Sequence, residues 1–396
     1  MQRRQFIGTV TSGVLAGTLG AERIRAASPA QPSPLVRTPL VLMAPRADGV
    51  EAIWAVSRLC TGRLEWQSSH GQHGAVTTDA HGFVPQSDDV LRVRVANLTP
   101  GTTYRMRSVT REAGSTEDIT SAWKSFRTLD PGAATSTFVV WNDTHIHDAT
   151  IQRLHDVTPE ADFLLWNGDT CNDWTSRDLL VPTLLHPGAC DITEGRPLLL
   201  TFGNHDVRGP RAFEMPDVVA TPSGRPFYAF RSGPVAVISL HTGEDKPDDH
   251  PSFAGRVSFD ALRREQAEWL AEVVTSPGFR DAPYRVVFCH IPLRWLDESP
   301  QDYAGKGFDR HSGRSRDAWH ESLVAWKTQV VVSGHTHRHA WLPPTEAFPY
   351  GQLVGGGPRM EAATWMHGTA DGRQLTLQVH ALDGRLLETI TLPPQG

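Results

Sequence analysis

Asp143, His145, Asp169, Asn204, His290, His335 and His337 are residue types that bind transition metals, and each follows a short apolar run. Phe138 to Trp141 leads to Asp143-Thr144-His145, Phe163 to Trp166 leads to Gly168-Asp169, and Leu198 to Phe202 leads to Gly203-Asn204-His205-Asp206. Val286 to Phe288 leads through Cys289 to His290, and Val330 to Val332 leads to Gly334-His335-Thr336-His337. A lone Asp-x-His or Gly-Asp is more often a turn or a surface pair than a ligand. The recurrence at every run carries the weight, because ligands of open α/β sheets collect beyond the carboxyl ends of strands. Glycine before Asp169, Asn204 and His335 permits tight turns there. Mixed imidazole and carboxylate donors suit Zn, Mn or Fe. A shared carboxylate can hold two such cations about 3.5 to 4 Å apart, a pair that acidifies water and neutralises phosphoryl charge.

Taken in order, D-x-H, G-D-x-x-N, G-N-H-D, a lone His and G-H-x-H resemble the motifs of the calcineurin-like metallophosphoesterases, a superfamily that includes purple acid phosphatases. The resemblance runs from about residue 136 to 380. It implies a layered α/β core, a β-sandwich flanked by helices, holding two divalent transition-metal ions (Zn, Mn or Fe). Asp143, His145 and His337 would hold the first ion, Asn204, His290 and His335 the second, and Asp169 would bridge them. A hydroxide activated by the metals would attack a small-molecule phosphate ester. His205 would stabilise the transition state or protonate the leaving oxygen, with Asp206 fixing its tautomer or capping a helix. In the purple enzymes a G-D-x-x-Y motif supplies an iron-bound tyrosinate. Here Asn172 occupies that place, so no purple colour is expected.

Other groups compete for roles. His145 and His147 invite comparison with the H-x-H-x-D-H zinc motif of metallo-β-lactamase folds, but Asp148 follows His147 directly, and G-N-H-D and G-H-x-H would be left without a role. His147 is read as a solvent-facing loop residue and His241, after Val235 to Leu240, as a hydrogen-bonded core histidine. Arg208 and Arg211 are candidates for holding an anionic group. The segment from Arg294 to Arg316, with Arg310, His311 and Arg314, reads equally as a substrate-facing wall or a solvated insertion. The four cysteines lack C-x-x-C spacing, which excludes a zinc knuckle. Cys171 and Cys190 are a candidate disulfide in an oxidising compartment, while Cys60 and Cys289 read as buried small hydrophobes.

The surrounding elements must position this set. With 396 residues the chain has room for two domains. Arg3 and Arg4, then Gln5, Phe6 and Ile7 before a small-residue apolar stretch, resemble a twin-arginine export signal over residues 1–30. The twin-arginine machinery would then deliver a folded protein to the periplasm or the exterior. A proline-rich linker covers 31–37. Short alternating runs over 38–129 read as a small all-β sandwich. Its Leu98 to Tyr104 segment resembles the tyrosine corner of fibronectin type III domains, and the region also resembles the N-terminal domain of purple acid phosphatases. Residues 136–396 would form the phosphoesterase domain, with helices over Ser258 to Val274, facing inward through Leu262, Trp269, Leu270 and Val273, and over Arg316 to Trp326. Lys and Arg total 38 against 44 Asp and Glu without like-charge blocks, which argues against an obligate nucleic-acid partner. No run is long enough to anchor the mature chain across a membrane. The same metal core would serve a diesterase of nucleotides or phospholipid headgroups, and an inactive binding protein is the reading from another class.

Overall fold

The computed structural model describes residues 34–77, 81–296 and 309–395. The signal reading and the start of the linker lie outside the described residues. The N-terminal part contains strands β1 (Val41–Met43), β2 (Val50–Ala55), β3 (Cys60–Ser68), β4 (His73–Val76), β5 (Gln86–Ser87), β6 (Val90–Val95), β7 (Thr103–Glu112), β8 (Ile119–Thr120) and β9 (Lys124–Arg127). They form two layers, β1-β2-β6 and β4-β3-β7-β8, with β5 on β3 and β9 on β7. The period of two sends Trp54, Leu64, Leu91, Val93, Met106 and Phe126 into one apolar cluster between them. Tyr104 is buried and its hydroxyl accepts a hydrogen bond from Thr99 N at 2.9 Å, the corner contact expected of this segment. The chain is engaged before Thr38, since Leu35 joins the cluster and Val36 bridges Val56.

The remaining strands are β10 (Ser136–Trp141), β11 (Phe163–Asn167), β12 (Leu198–Thr201), β13 (Tyr228–Ser232), β14 (Val235–Leu240), β15 (Tyr284–Cys289), β16 (Val330–Ser333), β17 (Ala340–Leu342), β18 (Gly351–Val354), β19 (Thr364–Ala370), β20 (Leu375–Ala381) and β21 (Leu386–Leu392). One sheet runs β21-β20-β19-β10-β11-β12 and continues into β1-β2-β6, while the other runs β13-β14-β15-β16-β18-β17. Phe138, Val140, Phe163 and Leu165 pack between the sheets against Val286, Phe288 and Val332. Their alternating neighbours Val139, Trp141, Leu164 and Trp166 face outward onto α1 (Asp148–Val157) through Ile151 and Leu154. Both faces are covered, so these strands read as unbroken apolar runs rather than alternating ones.

The α-helices after α1 are α2 (Met215–Val218), α3 (Phe259–Val273), α4 (Pro277–Arg280) and α5 (Asp309–Ala325), and short helical turns such as His205–Val207 lie between the strands. Helix α5 starts well before Arg316. On α3 the buried residues are Phe259, Arg263, Gln266 and Leu270, so the inward stripe is rotated from the one expected from its apolar residues. The reason is a polar demand beneath it. Gln266 takes a hydrogen bond from His241 N at 2.7 Å and gives one to His241 O at 2.8 Å, and Arg263 Nη2 donates to Thr242 O at 2.8 Å and Glu244 O at 3.0 Å. Buried backbone groups of the 241–244 loop are thereby satisfied.

The two sheets' ends matter for the N-terminal part as well. Strand β1 lies parallel to β12 with Met43 opposite Leu198, and Ala44 N donates to Leu198 O at 2.8 Å. Val41, Met43 and Ile53 share a core cluster with Trp141 and Trp166. Lys124, whose ammonium is pushed down by burial, is held by Asp191 and by Thr193 Oγ1 at 2.8 Å. A chain of residues 130–396 would expose that apolar face and leave Asp191 without its partner. Its melting temperature is therefore expected to fall clearly below the full-length value in a calorimetric scan. Equal melting temperatures would show the two parts to be independent.

Candidate metal centre

Strands β10, β11 and β12 run parallel in one sheet and β15 and β16 in the other, and their carboxyl ends meet where Asn167 Nδ2 reaches Cys289 O at 3.4 Å and Val332 O at 3.3 Å. Immediately beyond them the backbone turns sharply. Asp143, His145, Asp169, His335 and His337 all have positive φ, between 46° and 69°. Left-handed backbone is uncommon for residues other than glycine, and its concentration here marks conformational strain held by the surrounding fold. The neighbouring glycines make room for it. A Cβ on Gly203 would stand 2.3 Å from Asp169 Oδ1, one on Gly334 2.2 Å from Asp143 Oδ2, and one on Gly168 2.5 Å from His290 Nδ1.

All seven predicted ligands converge. Asp143, His145, Asp169 and His337 offer donor atoms within 4.8 Å of one another, and so do Asp169, His290 and His335. Asp169 belongs to both groups. Asn204 joins the second, its Oδ1 lying 2.8 Å from His335 Nδ1. Backbone and buried polar groups fix the side chains: Asp143 accepts from His335 N at 2.9 Å, His145 Nδ1 donates to Cys171 O at 2.9 Å, and His290 Nδ1 donates to Asn167 O at 2.8 Å. Asp169 Oδ1 accepts from His205 N at 2.9 Å. Such anchoring sets the tautomers of His145 and His290 and turns the Nε2 of each inward.

Two of the inward nitrogens face other donor atoms of the set. His290 Nε2 is buried, 3.1 Å from Asp169 Oδ2, without the geometry of a hydrogen bond. His145 Nε2 faces His337 Nε2 at 3.2 Å. Two carboxylates, four imidazoles and an amide oxygen crowded this way fit a pair of divalent cations, and Zn, Mn and Fe accept this mixture of donors. The electrostatics agree. Burial and the neighbouring Asp169 raise the Asp143 carboxyl well above its usual range, whereas for Asp169 the adjacent His290 outweighs burial and holds the carboxyl low. Burial opposes charge on His290, but Asp169 and Asp143 overcome it and push the imidazole up to about 10. Burial lowers His145 to about 4 and His335 to about 3.

Without a cation, then, His290 keeps a proton across the neutral range that a metal must displace. Metal binding is expected to release protons below about pH 10, and the apparent affinity to fall on acidification by about tenfold per pH unit for each proton released. Titration calorimetry in two buffers of different ionisation enthalpy measures the released protons directly.

His205 lies on the rim, its ring centroid 5.0 Å from that of His145. Its Nδ1 donates to Asn172 O and stands 3.3 Å from Asp173 Oδ1, and Nε2 meets Arg208 Nη1 at 3.1 Å. Asp206 does not touch this ring. Its buried carboxylate accepts from Gly203 N at 2.8 Å, Asp169 N at 2.9 Å and Thr170 N at 3.0 Å, tying the β11 and β12 loops together. The tautomer-fixing contact expected of Asp206 is therefore made by the Asn172 carbonyl instead, because three backbone amides claim the carboxylate.

His147 is exposed, and His241 is buried, accepting from Gly243 N at 3.0 Å and stacked on Phe202. Arg211 pairs with Glu214, Arg294 donates to Pro343 O at 2.9 Å, and Arg314 pairs with Asp260 at 2.5 Å, so each is committed to the fold. The wall reading of the arginine-rich segment otherwise falls largely on residues outside those described. Cys171 and Cys190 are free rather than paired, and Cys60 and Cys289 are buried. Sequence reasoning missed Glu244 and Asp245. They hold Arg208, with Nη2 donating at 3.0 Å to Glu244 and 3.3 Å to Asp245, and Asp245 Oδ2 lies 3.9 Å from His335 Nε2. Their signal was position, four and five residues past the run that ends β14.

A family model described as calcineurin-like phosphoesterase matches residues 136–339. Serine/threonine-protein phosphatase CPPED1 of Pongo abelii is 28% identical over 203 residues, 50% of this chain and 60% of its own length. The Homo sapiens protein of that name is 28% identical over 147 residues, 36% of this chain and 42% of its own length. The chain thus spans about half the length of these curated relatives. Among solved structures, purple acid phosphatase PPD1 from yellow lupin (Lupinus luteus) seeds superposes with a TM-score of 0.67 at 14% identity, covering 89% of this chain and 74% of that one. PhoD superposes with a TM-score of 0.60 at 12% identity, covering 89% and 92%. At such identities the two structures share the fold.

Proposed function

The chain belongs to the calcineurin-like phosphoesterase family, and we propose that it hydrolyses small phosphate esters at a dinuclear centre held by Asp143, His145, Asp169, Asn204, His290, His335 and His337. The observation that carries this reading is the double membership of Asp169, whose carboxylate is common to both donor groups. Two divalent cations held there would acidify a water and neutralise phosphoryl charge. The chain's own residues do the rest. Asp206 ties the two loops that present Asp169 and Asn204, keeping the donors in place. His205 donates from Nδ1 to Asn172 O and accepts at Nε2 from Arg208 Nη1; as an imidazolium, with Nε2 released from Arg208, it would give a proton to the leaving oxygen, and Arg208 beside it adds positive charge. A complete donor set argues against an inactive binding protein. Metal-loaded protein should turn over monoesters, diesters, nucleotides or phospholipid headgroups in a hydrolysis screen and lose that activity with a chelator. Full activity in protein shown to be metal-free would overturn the mechanism.

The N-terminal residues support a matching address. Arg3-Arg4 and the small apolar stretch after them fit twin-arginine export to the periplasm or exterior, and the tyrosine-corner contact fits a fibronectin type III-like module. Among the described residues no helix is long and apolar enough to cross a membrane. The ligand set contains no tyrosine, and Asn172 holds the position that would supply one. The isolated protein is expected to lack an intense visible band from tyrosinate coordination, which an absorption spectrum of the metal-loaded form checks.

A further inference from the structure

A cleft of about 540 Å³ opens beside His205, outside the metal ligands. Asp173 and Arg208, the two side chains that flank the His205 ring at 3.3 and 3.1 Å, are part of its lining. Its walls are of a different character. Phe213, Phe253 and Phe259, with Val257 and Pro210, present apolar surface. Phe253 and Phe259 are fixed in the core, but Phe213 is 71% exposed, the most exposed large hydrophobic residue among those described. The ring lies under the Arg211 guanidinium, 5.4 Å from its centroid, but is not packed into the core, and an apolar patch at the mouth of a cavity is what a ligand covers.

The cationic groups at this cleft differ in commitment. Arg208 is engaged by Glu244 and Asp245, so it is held in place. Arg256, on the outer wall, makes one backbone contact, Nη2 to Ser252 O at 3.4 Å, and no ion pair among the described residues. A guanidinium free to move over a flat π face is attracted to it. Gly209, with φ of 92° and with Trp174 O only 2.4 Å from where its Cβ would stand, lets the chain between Arg208 and Pro210 fold back and shape the floor.

We propose that this cleft is the leaving-group subsite and that it takes an aromatic ring, so that the preferred substrate is a phosphate ester of an aromatic or heteroaromatic alcohol. The inference rests on the phosphoesterase reading, since it places the phosphoryl group at the metal ligands and the departing oxygen at His205. From there the ester's organic part can extend past Asp173 and Arg208 between Phe213 and the Phe253–Phe259 wall. Polyols and sugars would meet few hydrogen-bonding partners on those phenylalanines, and their desolvation would go uncompensated.

Two measurements on the metal-loaded full chain test this separately from the parent reading. Binding of naphthylmethylphosphonate and of methylphosphonate is compared by calorimetry, which needs no turnover. The aromatic probe should bind at least about tenfold more tightly, and Phe213→Ser should remove most of that difference while Phe213→Trp retains it. Steady-state rates on 2-naphthylmethyl phosphate and glycerol phosphate, whose alcohols are similarly poor leaving groups, then give the same preference in KM rather than kcat. Equal binding of the two phosphonates would overturn the aromatic subsite even if every ester is hydrolysed. Ring-dependent binding without hydrolysis of any ester would instead retain the subsite and overturn the phosphoesterase reading.

Discussion

Asp169→Asn protein is expected to bind fewer than two metal ions per chain by elemental analysis and to lose activity by about a thousandfold or more. Asparagine is the informative replacement. It keeps the size of the side chain, tolerates the left-handed backbone that residue 169 adopts at φ 52°, and retains an oxygen to accept from His205 N. What it removes is the charge. Asp169 is the only carboxylate shared by the two donor groups, and its ionised form is held by the histidines around it, His290 above all. An amide oxygen is a weaker donor and cannot balance two cations, so both sites lose affinity together. The scale of the rate loss follows from taking a preorganised charge out of a buried catalytic centre. Asp169→Ala would add the cost of a left-handed alanine, which makes it a poorer test of metal binding alone. Normal metal content and normal rates in Asp169→Asn would remove the bridging role and with it the dinuclear reading.

Much of this centre was written in the sequence because of how the fold delivers it. Asp143, Asp169, Asn204, His290 and His335 each come one to three residues after a strand of consecutive apolar residues. Parallel strands buried on both faces give that signature; parallel pairing gathers the ends within each sheet, and the packing of the two sheets brings the two sets together. The parts that stayed hidden depend on contacts far apart in the chain. Asp206 sits in the G-N-H-D motif beside His205, yet only the folded β11 loop reveals that its oxygens are taken by Asp169 N and Thr170 N. Arg263 and Gln266 look like the solvated side of α3, and nothing local shows that the 241–244 loop needs their hydrogen bonds. The union of β1 with β12 is likewise a long-range pairing of two strands that each read as ordinary members of separate sheets. Glu244 and Asp245 were passed over because acidic pairs are usually solvated, and here Arg208 compensates their burial.

His205→Ala is expected to keep both metal ions and to lose kcat by about a hundredfold to ten-thousandfold, the range for removing a positioned acid or transition-state donor. The separation follows from where the atoms are. His205 reaches the centre through its backbone, N donating to Asp169 Oδ1 at 2.9 Å, and alanine preserves that bond. Its imidazole lies on the rim between Asn172 O, Asp173 and Arg208 and belongs to neither donor group. Removing the ring therefore leaves the ligands untouched. The loss should also depend on the leaving group. A good leaving group departs without a proton, so an activated aryl ester should suffer least and an alkyl ester most, and the ratio of the two losses measures the acid role. Arg208 remains anchored by Glu244 and Asp245 in the variant, so a loss equal for both esters would assign His205 to charge stabilisation beside Arg208 rather than to proton donation. Metal depletion in His205→Ala would make the imidazole a ligand and displace it from either role.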